Sequence, residues 1–166
     1  MEEQTNKFEE KLRHINENDT LKEVLKILIY ATLFVSGYAF FYGAVILFLR
    51  DIYVGLGFAL TIILPYLLVL LLSHIVKAPR PRELFDFYEK KGRTRHSFPD
   101  RLAFLCFAVG TLTLFVHFIL GLITLGLALC LAVCRVLLGY AFPRDEVAGG
   151  IVGVATSLIG YFLLIM

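Results

Sequence analysis

Apolar residues in this chain fall in long unbroken runs, not in the alternating or every-third-residue patterns of half-buried strands and surface helices. Ile27 to Leu49 carries no charged side chain, and neither does Ile52 to Val76 apart from the titratable His74. A bilayer core takes about 20 mostly apolar residues per helix, so each run predicts one membrane-spanning helix. Pro65 falls inside the second, which a membrane helix tolerates when its neighbours satisfy the freed carbonyl. Leu102 to Gly139 is 38 residues long. That exceeds one crossing and suits two short helices joined by a tight turn at 117–121. Val147 to Met166 completes the set, with Gly149 and Gly153 placed to let another helix approach closely. The expected fold class is all-α, a polytopic membrane helix bundle of about five transmembrane helices.

The polar breaks organise the remainder. Residues 1–26 mix both signs of charge without the layout of a cleaved leader. They are expected to form an N-terminal amphipathic, juxtamembrane helical segment ahead of a transmembrane domain over 27–166. Thr20 and Glu23 have capping-box spacing just before the first apolar run. Residues 77–101 form a polar loop containing Lys77, Arg80, Arg82, Lys90, Lys91, Arg93, Arg95 and Arg101, and Tyr140 to Glu146 forms a second break.

Composition agrees with this reading. Hydrophobic residues make up 58% of the 166, with no tryptophan, and mean hydropathy is +0.78, outside the range of ordinary soluble domains. A net charge of +2 identifies no partner, so the placement of charge matters more than its sum. With five crossings, Arg50 is the lone basic residue on its face, and the other 15 of 16 lie opposite. The excess of Lys and Arg assigns the N-terminus and basic loops to the cytoplasm, and the expected location is the plasma membrane of a bacterium. Cys106, Cys130 and Cys134 fall in apolar runs without metal-ligand spacing, so no metal or cofactor is expected. Nothing points to nucleic acid. The expected partners are membrane lipids, with a homo-oligomer through small-residue helix faces as a further expectation.

Arginine at three helix ends suggests what those lipids carry. Arg80 and Arg82 end the second span, Arg101 opens the third, and Arg135 with Arg144 brackets the last turn, all on one face. Guanidinium groups pair bidentately with phosphate oxygens. Arg135 follows a long apolar stretch, where an unpaired charge is costly, and Asp145 is its expected partner.

Three segments carry a resemblance. Ala78-Pro79-Arg80-Pro81-Arg82, then Ser97-Phe98-Pro99-Asp100-Arg101-Leu102, then Cys134-Arg135 through Gly139, Ala141, Pro143 and Asp145 together resemble the three-part signature of the type-2 phosphatidic acid phosphatase superfamily, which includes membrane lipid phosphate and polyprenyl pyrophosphate phosphatases. The resemblance implies phosphate binding by Arg80 and Arg135, with Lys77 and Arg101 nearby, and an orienting role for Asp145. It also exposes departures. Ala141 stands at the nucleophilic histidine and Leu102 at the general-acid histidine, while Ser73 replaces a lysine and Asp100 a phosphate-binding serine. Both reactive groups are therefore lost, and the expected function is binding of a lipid phosphate or polyprenyl phosphate, undecaprenyl phosphate among them, without hydrolysis. Two alternatives stand beside it. One is an active phosphatase using His96 or Cys134 in place of the lost pair, and the other is a membrane scaffold closed around an Arg135–Asp145 ion pair.

Overall fold

The computed structural model describes residues 17–76 and 98–165, together with 10, 12, 13 and 15, and among them the regular structure is entirely helical. Helix α1, Asp19–Arg50, starts from Asn18, whose side chain accepts the Leu21 N–H at 3.1 Å. The Thr20–Glu23 capping box is not used. Glu23 instead pairs with Lys26 at 2.8 Å, because the helix has already begun when Thr20 is reached. α1 runs without a break past residue 26.

Asp51 makes the first reversal. Its backbone N–H closes α1 on the Leu47 carbonyl at 2.9 Å, and its carboxylate accepts the Tyr53 N–H at 2.7 Å to cap α2, Ile52–Ile75, which carries Pro65 within it. Helices α3, Arg101–Val116, and α4, Phe118–Leu137, meet at His117 alone. The His117 ring caps α4 by accepting the Leu120 N–H at 3.3 Å. A hairpin this tight needs Gly121, since any side chain there would collide with the Leu114 backbone. Helix α5, Pro143–Gly160, ends in a π-helical turn, Tyr161–Ile165. It begins four residues before the apolar run, because Pro143 is well suited to a first helical turn. Arg144, Asp145 and Glu146 therefore belong to the helix.

α3 packs against all four other helices, most extensively against α4 and α5. Nine of its 16 residues are buried, on every side of the helix, as expected of a central helix shielded by its neighbours. The outer helices show the opposite distribution. Phe34 is 79% exposed and Leu49 83%, and large apolar side chains project outward along all of them. In water such a surface would aggregate; in a bilayer it faces acyl chains. Four helices are long and apolar enough to cross a membrane, and α3 is a shorter apolar one. The protein is an integral membrane helix bundle. Three buried threonines satisfy their hydroxyls locally: Thr61, Thr113 and Thr124 donate to the carbonyls of Gly57, Val109 and Leu120, four residues back, at 2.7–2.8 Å.

Gly149 and Gly153 do admit a close helix, and that helix is α3 of the same chain. A methyl group on Gly149 would press on the Asp100 carbonyl, and one on Gly153 on the Phe104 carbonyl. Gly37 and Gly126 have open space instead. Gly149→Ala is therefore expected to cost roughly 1–3 kcal/mol through overpacking, whereas Gly37→Ala and Gly126→Ala gain about 0.5–1 kcal/mol by helix propensity. Unfolding midpoints of the four proteins in one detergent measure the contrast.

Candidate functional site

Three helix ends converge on one face of the bundle. α4 stops in a Schellman turn, in which the Tyr140 N–H donates to the Arg135 carbonyl at 2.9 Å and the Gly139 N–H to that of Val136 at 3.0 Å. Gly139 adopts φ 68°, the left-handed conformation that this motif requires and that only glycine enters freely. The turn fixes Arg135 one residue inside the last helical turn and leads the chain into α5.

α3 starts beside α5. Asp100 caps it, one carboxylate oxygen, Oδ2, accepting the N–H groups of Leu102 at 3.0 Å and Ala103 at 2.9 Å. The Asp100 backbone N–H donates to the Asp145 carbonyl at 3.2 Å, tying the two helix starts together. The other carboxylate oxygen, Oδ1, receives Arg135 Nη2 at 2.5 Å, while Arg135 Nε donates to Glu146 Oε1 at 2.7 Å. The three side chains are 3–7% exposed.

One guanidinium between two carboxylates would, with both ionised, leave a net negative charge in a buried place, which would be costly in isolation. Helix dipoles offset it. The N-termini of α3 and α5 each present roughly half a positive charge beside Asp100 and Glu146, and the C-terminal end of α4 favours the cation Arg135. Asp145 is fully buried and pairs with the exposed Arg144 at 3.4 Å. The ion pairs of Arg135 thus go to Asp100 and Glu146, where the sequence reading nominated Asp145. The Asp145 carbonyl accepts the Asp100 N–H and its carboxylate faces Arg144, and Glu146 one position on is the residue turned toward α4.

A cavity of about 450 Å³ opens beside this cluster, lined by Lys26, Tyr30, Tyr66, Asp100, Arg101, Leu102, Arg135 and Tyr140 with Ile29 and Leu33. A second space of about 310 Å³ lies between α1 and α2, almost wholly apolar and bordered by Ser36, Gly37, Phe40 and Ile62. The two share Leu33 and Tyr66 as lining residues.

Among the residues singled out from the sequence, Arg101, Leu102 and Arg135 line the polar cavity, and Ala141 is fully buried close by in the chain. Cys134 is not in the cavity lining; it packs in an apolar cluster with Cys106, Leu25, Ile29 and Leu131. Lys77, Arg80, Arg82 and His96 lie outside the described residues. Lys26, Tyr66 and Glu146 were not foreseen. Lys26 and Tyr66 have no motif, but Glu146 had a signal: an acidic residue directly ahead of an apolar run, eleven positions after an intramembrane arginine.

Removing the guanidinium leaves two buried carboxylates facing each other. Arg135→Ala is expected to cost roughly 3–5 kcal/mol, with most of that recovered when Asp100→Asn and Glu146→Gln are added. Unfolding midpoints of the single and triple variants check this.

No protein-family model matches the sequence, and no curated protein is significantly similar to it. Two solved structures share its fold. A transmembrane PAP2-type phosphatidylglycerolphosphate phosphatase from Bacillus subtilis superposes with a TM-score of 0.73 at 18% identity, over 98% of this chain and 86% of that one. Aquifex aeolicus LpxE superposes with a TM-score of 0.66 at 23% identity, over 92% and 93% respectively. The chain has a PAP2-like membrane phosphatase fold, so the resemblance carried by three short segments extends to the whole bundle.

Proposed function

We propose that this PAP2-fold chain holds the phosphate-bearing head of a membrane lipid in the polar cavity, with hydrocarbon in the adjoining apolar space, and does not hydrolyse it. The observation that carries the reading is the shared wall of the two spaces: a charged compartment and an apolar one, set side by side against Leu33 and Tyr66, together have the polarity profile of an amphiphile. Arg101 and Lys26 supply cations at the polar end. In this reading Lys77 and Arg80 join them from the basic loop, which lies on the cytoplasmic side of a bacterial plasma membrane.

Hydrolysis requires a nucleophile in line with phosphorus and a proton donor for the leaving group. Leu102 contributes a hydrocarbon surface to the cavity, and Ala141 is a buried methyl. Neither can transfer a proton. Cys134 is packed in the core among apolar side chains, a setting that keeps a thiol inert.

The closed Arg135 cluster favours a second reading, in which the bundle is a scaffold whose anion site serves only to join helix ends. A phosphatase and binding panel separates the possibilities. The protein in nanodiscs is expected to retain phosphatidic acid or a polyprenyl phosphate over a neutral lipid, to lose that preference with Arg101→Ala, and to release no phosphate. Phosphate release by the unaltered protein, reduced by Cys134→Ala or His96→Ala, would refute the proposal in favour of catalysis by substitute residues. Equal retention of charged and neutral lipids would favour the scaffold.

A further inference from the structure

The binding reading leaves open why a site with a buried arginine would not hold its phosphate directly on that arginine. We infer that Asp100 is the resident anion of this site, a specificity-determining residue whose carboxylate keeps phosphate off Arg135; the inference concerns the same cavity as the proposed function and rests on that reading for its biological meaning.

The geometry behind it is specific. Nε and Nη2 form one side of the guanidinium fork, the pair of donors that a phosphate takes bidentately. Here Glu146 Oε1 accepts from Nε and Asp100 Oδ1 from Nη2, so two carboxylate oxygens from different helices stand where two oxygens of one phosphate would. The second anion-binding device at this place is the start of α3, whose outward N–H groups and dipole form a ready receptor for an oxyanion. Asp100 occupies that as well, through Oδ2 to Leu102 and Ala103. A single carboxylate, 3% exposed, thus uses both devices, and it does so in the wall of the 450 Å³ cavity. A phosphate entering the cavity meets Lys26 and Arg101 first. It reaches Arg135 only by displacing a carboxylate that would then repel it.

The two jobs of Asp100 can be separated chemically. Serine and asparagine cap helices about as well as aspartate, but neither carries charge. Asp100→Ser and Asp100→Asn therefore preserve the start of α3 while vacating Nη2. Binding of inorganic phosphate to the detergent-solubilised full chain, followed by thermal shift, is the direct probe. Both variants are expected to bind phosphate at least about tenfold more tightly than the unaltered protein, a gain of roughly 1.4 kcal/mol, and the gain disappears when Arg135→Gln is added. Unchanged phosphate affinity in both variants with native helix content overturns the inference, as does a gain that survives loss of Arg135. Phosphatidic acid in nanodiscs forms the second arm. If the unaltered protein retains it and Asp100→Ser gains nothing for either ligand, the resident-anion assignment fails while lipid binding stands. If inorganic phosphate binding rises in Asp100→Ser but no lipid is retained by any variant, the assignment stands and the proposed function fails.

Discussion

A buried guanidinium shared by two carboxylates holds three helix ends together. Arg135 comes from the end of α4, Asp100 from the start of α3 and Glu146 from the first turn of α5, so one side chain bridges residues 35 and 11 positions away. In a medium without water such a cluster has few alternatives, since each member alone would be a stranded charge. The pairing therefore imposes strict geometry: the Schellman turn at Gly139 must present Arg135 at the right height, and Gly149 must let α5 approach the Asp100 carbonyl.

The bilayer explains what surrounds the cluster. With lipid outside, no hydrophobic force draws one helix to another, and association relies on close packing and polar contacts. Both are visible around α3. Gly149 and Gly153 bring α5 against its backbone, and Ser157 donates to the Ala108 carbonyl at 3.1 Å. At the far end Phe115 stacks on Tyr161 with ring centroids 3.9 Å apart. Among the described residues the buried charges gather at one end, next to the cavity, and the rest of the core is aliphatic or aromatic with scattered Ser and Thr hydroxyls.

The helices were legible in the sequence because each apolar run is long and bounded by charge or a turn. The hairpin at His117 was readable from length alone, as 38 residues do not fit one crossing. The start of α5 was not. Hydropathy assigns Arg144, Asp145 and Glu146 to a loop, and only the packed structure reveals that two of them are buried. The partner of Arg135 was misplaced for a related reason: sequence proximity favoured Asp145, whereas the contact with Asp100 depends on how α3 and α4 pack. Lys26 and Tyr66 reach the cavity through tertiary placement of α1 and α2, for which no local pattern exists. The three short motifs pointed to the fold that the whole chain shares with PAP2-type structures, but they did not reveal that Asp100 and Glu146 hold the Arg135 guanidinium.

The shortness of α3 has a consequence for depth. Sixteen residues rising 1.5 Å each span about 24 Å, several ångströms less than a hydrocarbon core of roughly 30 Å. Since other helices surround α3, the shortfall need not be met by thinning the lipid; it can be taken up inside the bundle as a well whose floor is the start of that helix. α1, twice as long, lines the cavity with Lys26, Ile29 and Tyr30. Under the proposed function, a head group seated on Arg101 would stand below its neighbours in the leaflet, so occupancy of the well would carry a vertical cost that depends on membrane thickness, differing between thin and thick bilayers even with every contact unchanged.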